Sequence, residues 1–100
     1  MIVHIVMWRL LSEAAGNNKA VNAQLAKQKL EALNGIIPGL IKLEVGIDFS
    51  RSEFSGDLVL YSELESIEAL AAYQQHPAHV EAGSFVKTIC SGRQVVDYEV

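Results

Sequence analysis

The chain has 100 residues, half of them hydrophobic, and a net charge of −4, with a pI near 5.2 and a mean hydropathy of +0.20. This is one domain, residues 1–100, large enough to bury a core without disulfide or metal staples. The eight lysines and arginines are scattered, which argues against nucleic acid or an anionic membrane as partner, and the lone Cys90 allows no internal disulfide, as expected of a reducing, cytoplasmic setting.

Ile2 to Leu10 reads as a strand. It is rich in β-branched and aromatic residues, with Ile2, His4, Val6, Trp8 and Leu10 on one side and Val3, Ile5 and Met7 on the other. Apolar character on both faces marks a central strand covered twice. This apolar start lacks a basic leader region and is interrupted by His4 and Arg9, and nothing in the chain reaches membrane-spanning length.

Asn17 or Asn18 is the expected N-cap of a helix over Lys19 to Leu33. Ala26, Leu30, Leu33 and Ile37 recur at helical spacing as its inner stripe, and Asn34-Gly35 with Pro38-Gly39 ends it and turns the chain. Leu40 to Asp48 alternates, Ile41, Leu43, Val45 and Ile47 against Lys42, Glu44, Gly46 and Asp48, as an edge strand would. After a polar loop, Asp57 to Leu64 is apolar on both sides, hence a second central strand. Ser66 opens a second helix with Ile67, Leu70, Ala71 and Tyr73 inward. Pro77 ends that helix and opens a third over Ala78 to Ile89, with Val80, Gly83, Val86 and Ile89 or Cys90 inward. Ser91-Gly92 is expected to close it, and Gln94 to Val100 is the last strand.

The order β-α-β-β-α-β is that of the split βαβ, or ferredoxin-like, α+β fold: an antiparallel sheet with its helices on one face. The opposite face would be bare, carrying Val3, Ile5, Met7, Val59 and Tyr98. A monomer should not expose so large an apolar patch, so a homodimer packed sheet on sheet is expected.

Few side chains move protons near neutral pH, and the chain holds three histidines. His76 and His79 flank Pro77 beside Tyr73, and His4 lies within the first strand. His79, in the first turn of the last helix, sits where the positive helix end disfavours imidazolium and preserves a basic nitrogen. Asp97, polar on an apolar strand, needs a partner, with His4 or His79 the candidates. Each residue also has a plain structural reading: His76 and His79 as caps and packing at the helix junction, His4 as a core histidine held by one hydrogen bond, Tyr73 as a core aromatic, Trp8 as a plug. The His-x-x-His spacing is a poor metal site, because Pro77 breaks the helix between the two rings and no acidic or thiolate cluster adjoins them. No phosphate-binding glycine spacing occurs, and no cofactor is expected.

The ordered set His4-Ile5-Val6, Ile37-Pro38-Gly39-Leu40, Val45-Gly46, Leu64-Glu65-Ser66 leading to Glu68-Ala69-Leu70, then Tyr73, His76-Pro77-Ala78-His79-Val80 and Val96-Asp97-Tyr98 resembles the stress-responsive A/B-barrel (Dabb) domain family, within the dimeric α+β barrel superfamily. The resemblance spans nearly the whole chain. It implies a homodimeric barrel binding a small apolar or carbonyl-containing ligand, without a fixed reaction. One branch it is similar to, the olivetolic acid cyclase type of polyketide cyclase, performs cofactor-free aldol chemistry. By that likeness His4 would orient substrate, Tyr73 would hold an enolate or carbonyl oxygen, His79 would be the base and Asp97 would orient an imidazole; Val6, Trp8, Leu60 and Val95 are the further substrate contacts expected around them. An isomerase, or a cofactorless monooxygenase as in parts of the wider superfamily, is the rival implication. Trp8 stands against both a long polyketide and a polycyclic phenol, since its indole could fill the pocket.

Overall fold

The computed structural model describes all of residues 1–100. Strand β1 (Ile2–Leu10) leads into a small hairpin, β2 (Glu13–Ala14) and β3 (Asn17–Asn18), and then into helix α1 (Lys19–Glu31). Strands β4 (Leu40–Ile47) and β5 (Leu58–Leu64) follow, then helices α2 (Ile67–Gln75) and α3 (Pro77–Ile89), and finally β6 (Cys90–Glu99). The main sheet has the order β4-β5-β1-β6 and is antiparallel throughout. The two strands with apolar residues on both faces are the central ones, and alternating β4 is an edge. This is the ferredoxin-like α+β arrangement.

The core lies between the sheet and the helices. Ile2, Val6, Trp8 and Leu10 of β1, Leu58, Leu60 and Leu64 of β5, and Leu43 and Val45 of β4 meet Ala26, Leu30, Leu33 and Ile37, the stripe expected from helical spacing. Asn18 caps α1, its Oδ1 accepting the Val21 amide at 2.9 Å. The hairpin before it was not foreseen. Its turn residues Ala15 and Gly16 both have positive φ, 51° and 77°, as a two-residue turn with right-handed twist requires. Buried Asn22 ties the hairpin down by donating to the Ala14 carbonyl at 2.9 Å.

Several local expectations are corrected. On α2 the inward residues are Ala69, Leu70 and Tyr73, while Ile67 is 64% exposed and Ala71 faces solvent. On α3 they are Ala82, Val86 and Ile89, while Val80 is 53% exposed. The reason is common to both: these short helices meet at the non-helical residue His76, so each is rotated by its own packing and not by one continuous stripe. In β4 a register shift between Leu40 and Lys42 turns Ile41 outward, and Ile47 at the strand end is partly open. Ser91 and Gly92 extend β6 where a helix stop was expected, because Cys90 already pairs with Leu10.

The outer edge of β4 is occupied by side chains from α1 and the turn after it. Asn34 gives its Nδ2 to the Leu43 carbonyl at 2.8 Å and takes the Leu43 amide on its Oδ1 at 2.9 Å. Two residues on, Lys27 donates to the Val45 carbonyl at 2.6 Å and Glu31 accepts the Val45 amide at 3.0 Å. Lys27 and Glu31 also pair with each other at 2.7 Å, one helical turn apart. The lysine, then the strand amide, hold the Glu31 carboxyl below its usual range.

The sheet face away from the helices is less bare than composition suggests. Val3 is only 1% exposed, since Glu63 and Tyr98 stand directly beside it on the flanking strands. Met7, Val96 and Tyr98 are the apolar side chains that stand open there.

Candidate functional site

Helix breaking at His76 assembles the site. Ser66 caps α2 by accepting the Ala69 amide at 3.0 Å, and seven residues later Tyr73 falls on the inner face, with no exposed surface. His76 then serves both helices: it ends α2 and caps α3, its Nδ1 accepting the Ala78 amide at 3.1 Å, with Pro77 in the first helical position. Of the alternatives for His76, capping is the one realised. His79 follows in the first turn of α3.

His4 is on the inner face of β1, between Ser62 of β5 and Asp97 of β6. It is 2% exposed, and its Nδ1 is hydrogen-bonded to Asp97 Oδ1. A carboxylate only accepts, so this Nδ1 carries the proton. Ser62 donates to the His4 carbonyl at 2.9 Å, fixing the backbone from the other side.

The Tyr73 ring neighbours both imidazoles. Its centroid is 6.1 Å from that of His4, edge on, and 4.5 Å from that of His79, tilted. The four residues thus form a continuous series: Asp97, His4, Tyr73, His79. The Tyr73 hydroxyl is the one buried side-chain polar atom with no hydrogen-bond partner within the protein. Burial pushes its pKa far above the ordinary phenol value, so the group is a proton-bearing donor and not a phenolate.

His79 Nδ1 lies 3.2 Å from the Gln74 carbonyl. A carbonyl only accepts, so Nδ1 bears the hydrogen and Nε2 carries the lone pair of the neutral ring. Burial lowers the His79 pKa, opposed by the Gln74 bond and assisted by the positive potential of His4, Arg93 and His76. Gln74 escaped sequence reasoning because it acts through its main chain, which leaves no residue-type signal.

The remaining candidate contacts are placed differently. Val6 and Leu60 are core residues beyond His4 on the inner face, each 2% exposed. Val95 pairs with Val6 on β6 and is 41% exposed. Trp8 is 7% exposed and packed in the core. No three His, Cys, Asp or Glu side chains converge in metal-binding geometry. A cleft of about 850 Å³ lies at the other end of β1, where Arg9, Lys19, Asp48, Arg51 and Asp57 give a mixed polar lining.

The family model for the Dabb, Stress responsive A/B Barrel Domain, matches residues 2–100. No curated protein matches the chain. Among solved structures, a dimeric protein of unknown function and ferredoxin-like fold from Bacteroides fragilis is 32% identical, with TM-score 0.88, covering 99% of this chain and 95% of its own. A dimeric ferredoxin-like protein of unknown function from Jannaschia is 28% identical, with TM-score 0.77, covering 99% and 98%. A third, from Thermobifida fusca, also dimeric and of unknown function, is 22% identical with TM-score 0.84, covering 99% and 90%, and speaks to the fold alone.

Proposed function

The chain belongs to the stress responsive A/B barrel (Dabb) domain family, and from that premise we propose that it is a homodimeric binder of a small ligand carrying a carbonyl or phenol oxygen, held at the series Asp97, His4, Tyr73 and His79. The unpartnered Tyr73 hydroxyl carries this reading. A buried donor without an acceptor is costly and rare, and a ligand oxygen would relieve it. Of the expected apolar contacts, Val95 is open to the rest of the ligand at 41% exposure, while Val6, Leu60 and Trp8 are packed in the core behind the site. The homodimer reading is supported by Met7, Val96 and Tyr98 standing open on the far sheet face and by the dimeric relatives.

The test is titration of the protein with phenol and with a small β-diketone, followed through the imidazole NMR signals. Shifts at His4 and His79 in the wild type, weakened at least about tenfold in Tyr73→Phe, are expected for loss of a buried hydrogen bond. Imidazole signals indifferent to both probes would remove the reading.

A second reading, proton transfer, is favoured by the His79 tautomer. With Nδ1 bound to the Gln74 carbonyl, Nε2 is free to accept an α-proton from a carbonyl compound, while Tyr73 donates a hydrogen bond to the enolate oxygen so formed. Exchange of the β-diketone's α-hydrogens with solvent deuterium, faster with wild type than with His79→Gln, would support it; equal rates would dismiss it.

A further inference from the structure

Phe49 and Phe54 are the most exposed large hydrophobic side chains of the chain, at 91% and 86%. Both lie in the connection from β4 to β5, residues 48–57, which is long for a hairpin. The loop is not slack. Asp48 and Asp57 close its base with a 2.9 Å main-chain bond. The Arg51 amide is bound by the Asp48 carboxylate at 2.8 Å, and Ser52 and Ser55 bridge hydroxyl to hydroxyl at 2.8 Å. Arg9 reaches the Glu53 carbonyl at 3.3 Å, tying the loop to β1. A braced loop that holds two aromatic rings in water has the makings of an association surface, where rigid aromatic anchors carry most of the energy.

The position of the rings identifies the partner. Phe54 borders a groove of about 420 Å³ with Met7, Gly92 and Gln94. Phe49 borders one of about 230 Å³ with Met7, Gly46 and Val59. Both grooves share Met7, which stands on the sheet face away from the helices, so the aromatic loop continues that face at one end. Four strands about 4.8 Å apart and seven to ten residues long give that face a flat area of roughly 450–650 Å², against the roughly 800 Å² per partner that a stable complex buries. Two nearly free phenylalanines, each offering on the order of 200 Å², supply much of the difference.

We propose that the loop over residues 48–57 is a clasp that seats Phe49 and Phe54 against a second copy of this chain. The inference rests on the homodimer reading above and adds a determinant to it: the sheet faces alone make a weak pair, and the loop makes it a stable one. Under two-fold symmetry each clasp meets the same surface of the other protomer, so two loops and four rings are engaged.

Sedimentation equilibrium over 1–100 µM protomer (roughly the range that separates weak from stable pairs) tests this with three proteins. These are the wild type, Phe49→Ser/Phe54→Ser, and Val96→Glu on the sheet face. Both variant sites are solvent-exposed, and circular dichroism checks that their fold is kept. The expected result is a dimeric wild type, with the loop variant's dissociation constant raised about 100-fold or more, and Val96→Glu likewise weakened. A loop variant that dimerises as tightly as the wild type, with Val96→Glu weakened, overturns the clasp and leaves the dimer reading standing. A monomeric wild type at 100 µM overturns both. Binding of neutral phosphatidylcholine vesicles lost in the loop variant, with dimerisation unchanged, would assign the rings to a membrane and also overturn the clasp.

Discussion

Replacing Tyr73 by phenylalanine should stabilise the free protein, an unusual direction for a fully buried residue. The hydroxyl is buried and hydrogen-bonded to no group of the protein, so folding strips its water and returns no protein hydrogen bond. That costs about 1–3 kcal/mol. Deleting one oxygen leaves a void of about 10 Å³ at most, worth roughly 0.2–0.3 kcal/mol at the usual cavity coefficient. The ring stays beside His4 and His79, so the aromatic contacts survive. The net expectation is a gain of about 1 kcal/mol, or a rise in Tm of about 4–8 °C for a domain of this size. Urea unfolding followed by circular dichroism, at one fixed protomer concentration because association would add its own term, gives the comparison. A variant less stable than the wild type by 1 kcal/mol or more would mean that the hydroxyl has a partner in the free protein, and the case for it as a waiting donor would fall. The same substitution should weaken binding of an oxygen-bearing ligand, so stability and binding should move in opposite directions.

The remaining expectations are these. Asn34→Ala should cost about 2–3 kcal/mol in urea unfolding, because it strands both the amide and the carbonyl of Leu43 at once. Gly39→Ala should cost at least about 2 kcal/mol by the same assay: its φ of 84° is left-handed, and the added methyl would lie 2.8 Å from the Ala69 methyl. His79 has a folded pKa below its unfolded value, so its contribution is fully present above the unfolded pKa and is lost as pH falls from there toward the folded one. The wild type should therefore lose more Tm than His79→Gln between pH 7.5 and pH 5, that is, from about one unit above the ordinary imidazole value to below it; equal losses would contradict the assigned burial of the ring.

How much of this was legible beforehand varies with the range of the interactions. The inner stripe of α1 follows from residues three and four apart and needs no tertiary knowledge. Central and edge strands were distinguishable because burial on two faces, as for β1 and β5, leaves apolar residues at both parities. The orientations of α2 and α3 were not legible. Each helix is short, the break at His76 resets the helical phase, and Ile67 and Val80 look as apolar as the residues that are buried. The bulge that exposes Ile41 likewise has no mark of its own, since Leu40, Ile41 and Leu43 all suit the inside. As for the candidate site, residue types and a family likeness drew attention to His4, Tyr73, His79 and Asp97. Their spacing in the chain says nothing of distance: Asp97 meets His4 only because β6 pairs with β1 in that register. The orphaned hydroxyl and the two imidazole tautomers depend on what lies within a few ångströms, and are properties of the folded molecule alone.

The side chains that occupy the β4 border have a consequence for how copies of this chain can add to one another. A fibre built by strand addition needs two unsatisfied borders per unit, one to receive and one to offer. Here Leu43 and Val45 have already spent their outward amides and carbonyls on Asn34, Glu31 and Lys27, so one border acts as a chain terminator. Only β6, on the opposite side, remains able to recruit a strand. Growth through that border ends after a single joining event, in a closed pair. Protection against runaway polymerisation is thus written into three residues of a helix and its following turn, Lys27, Glu31 and Asn34.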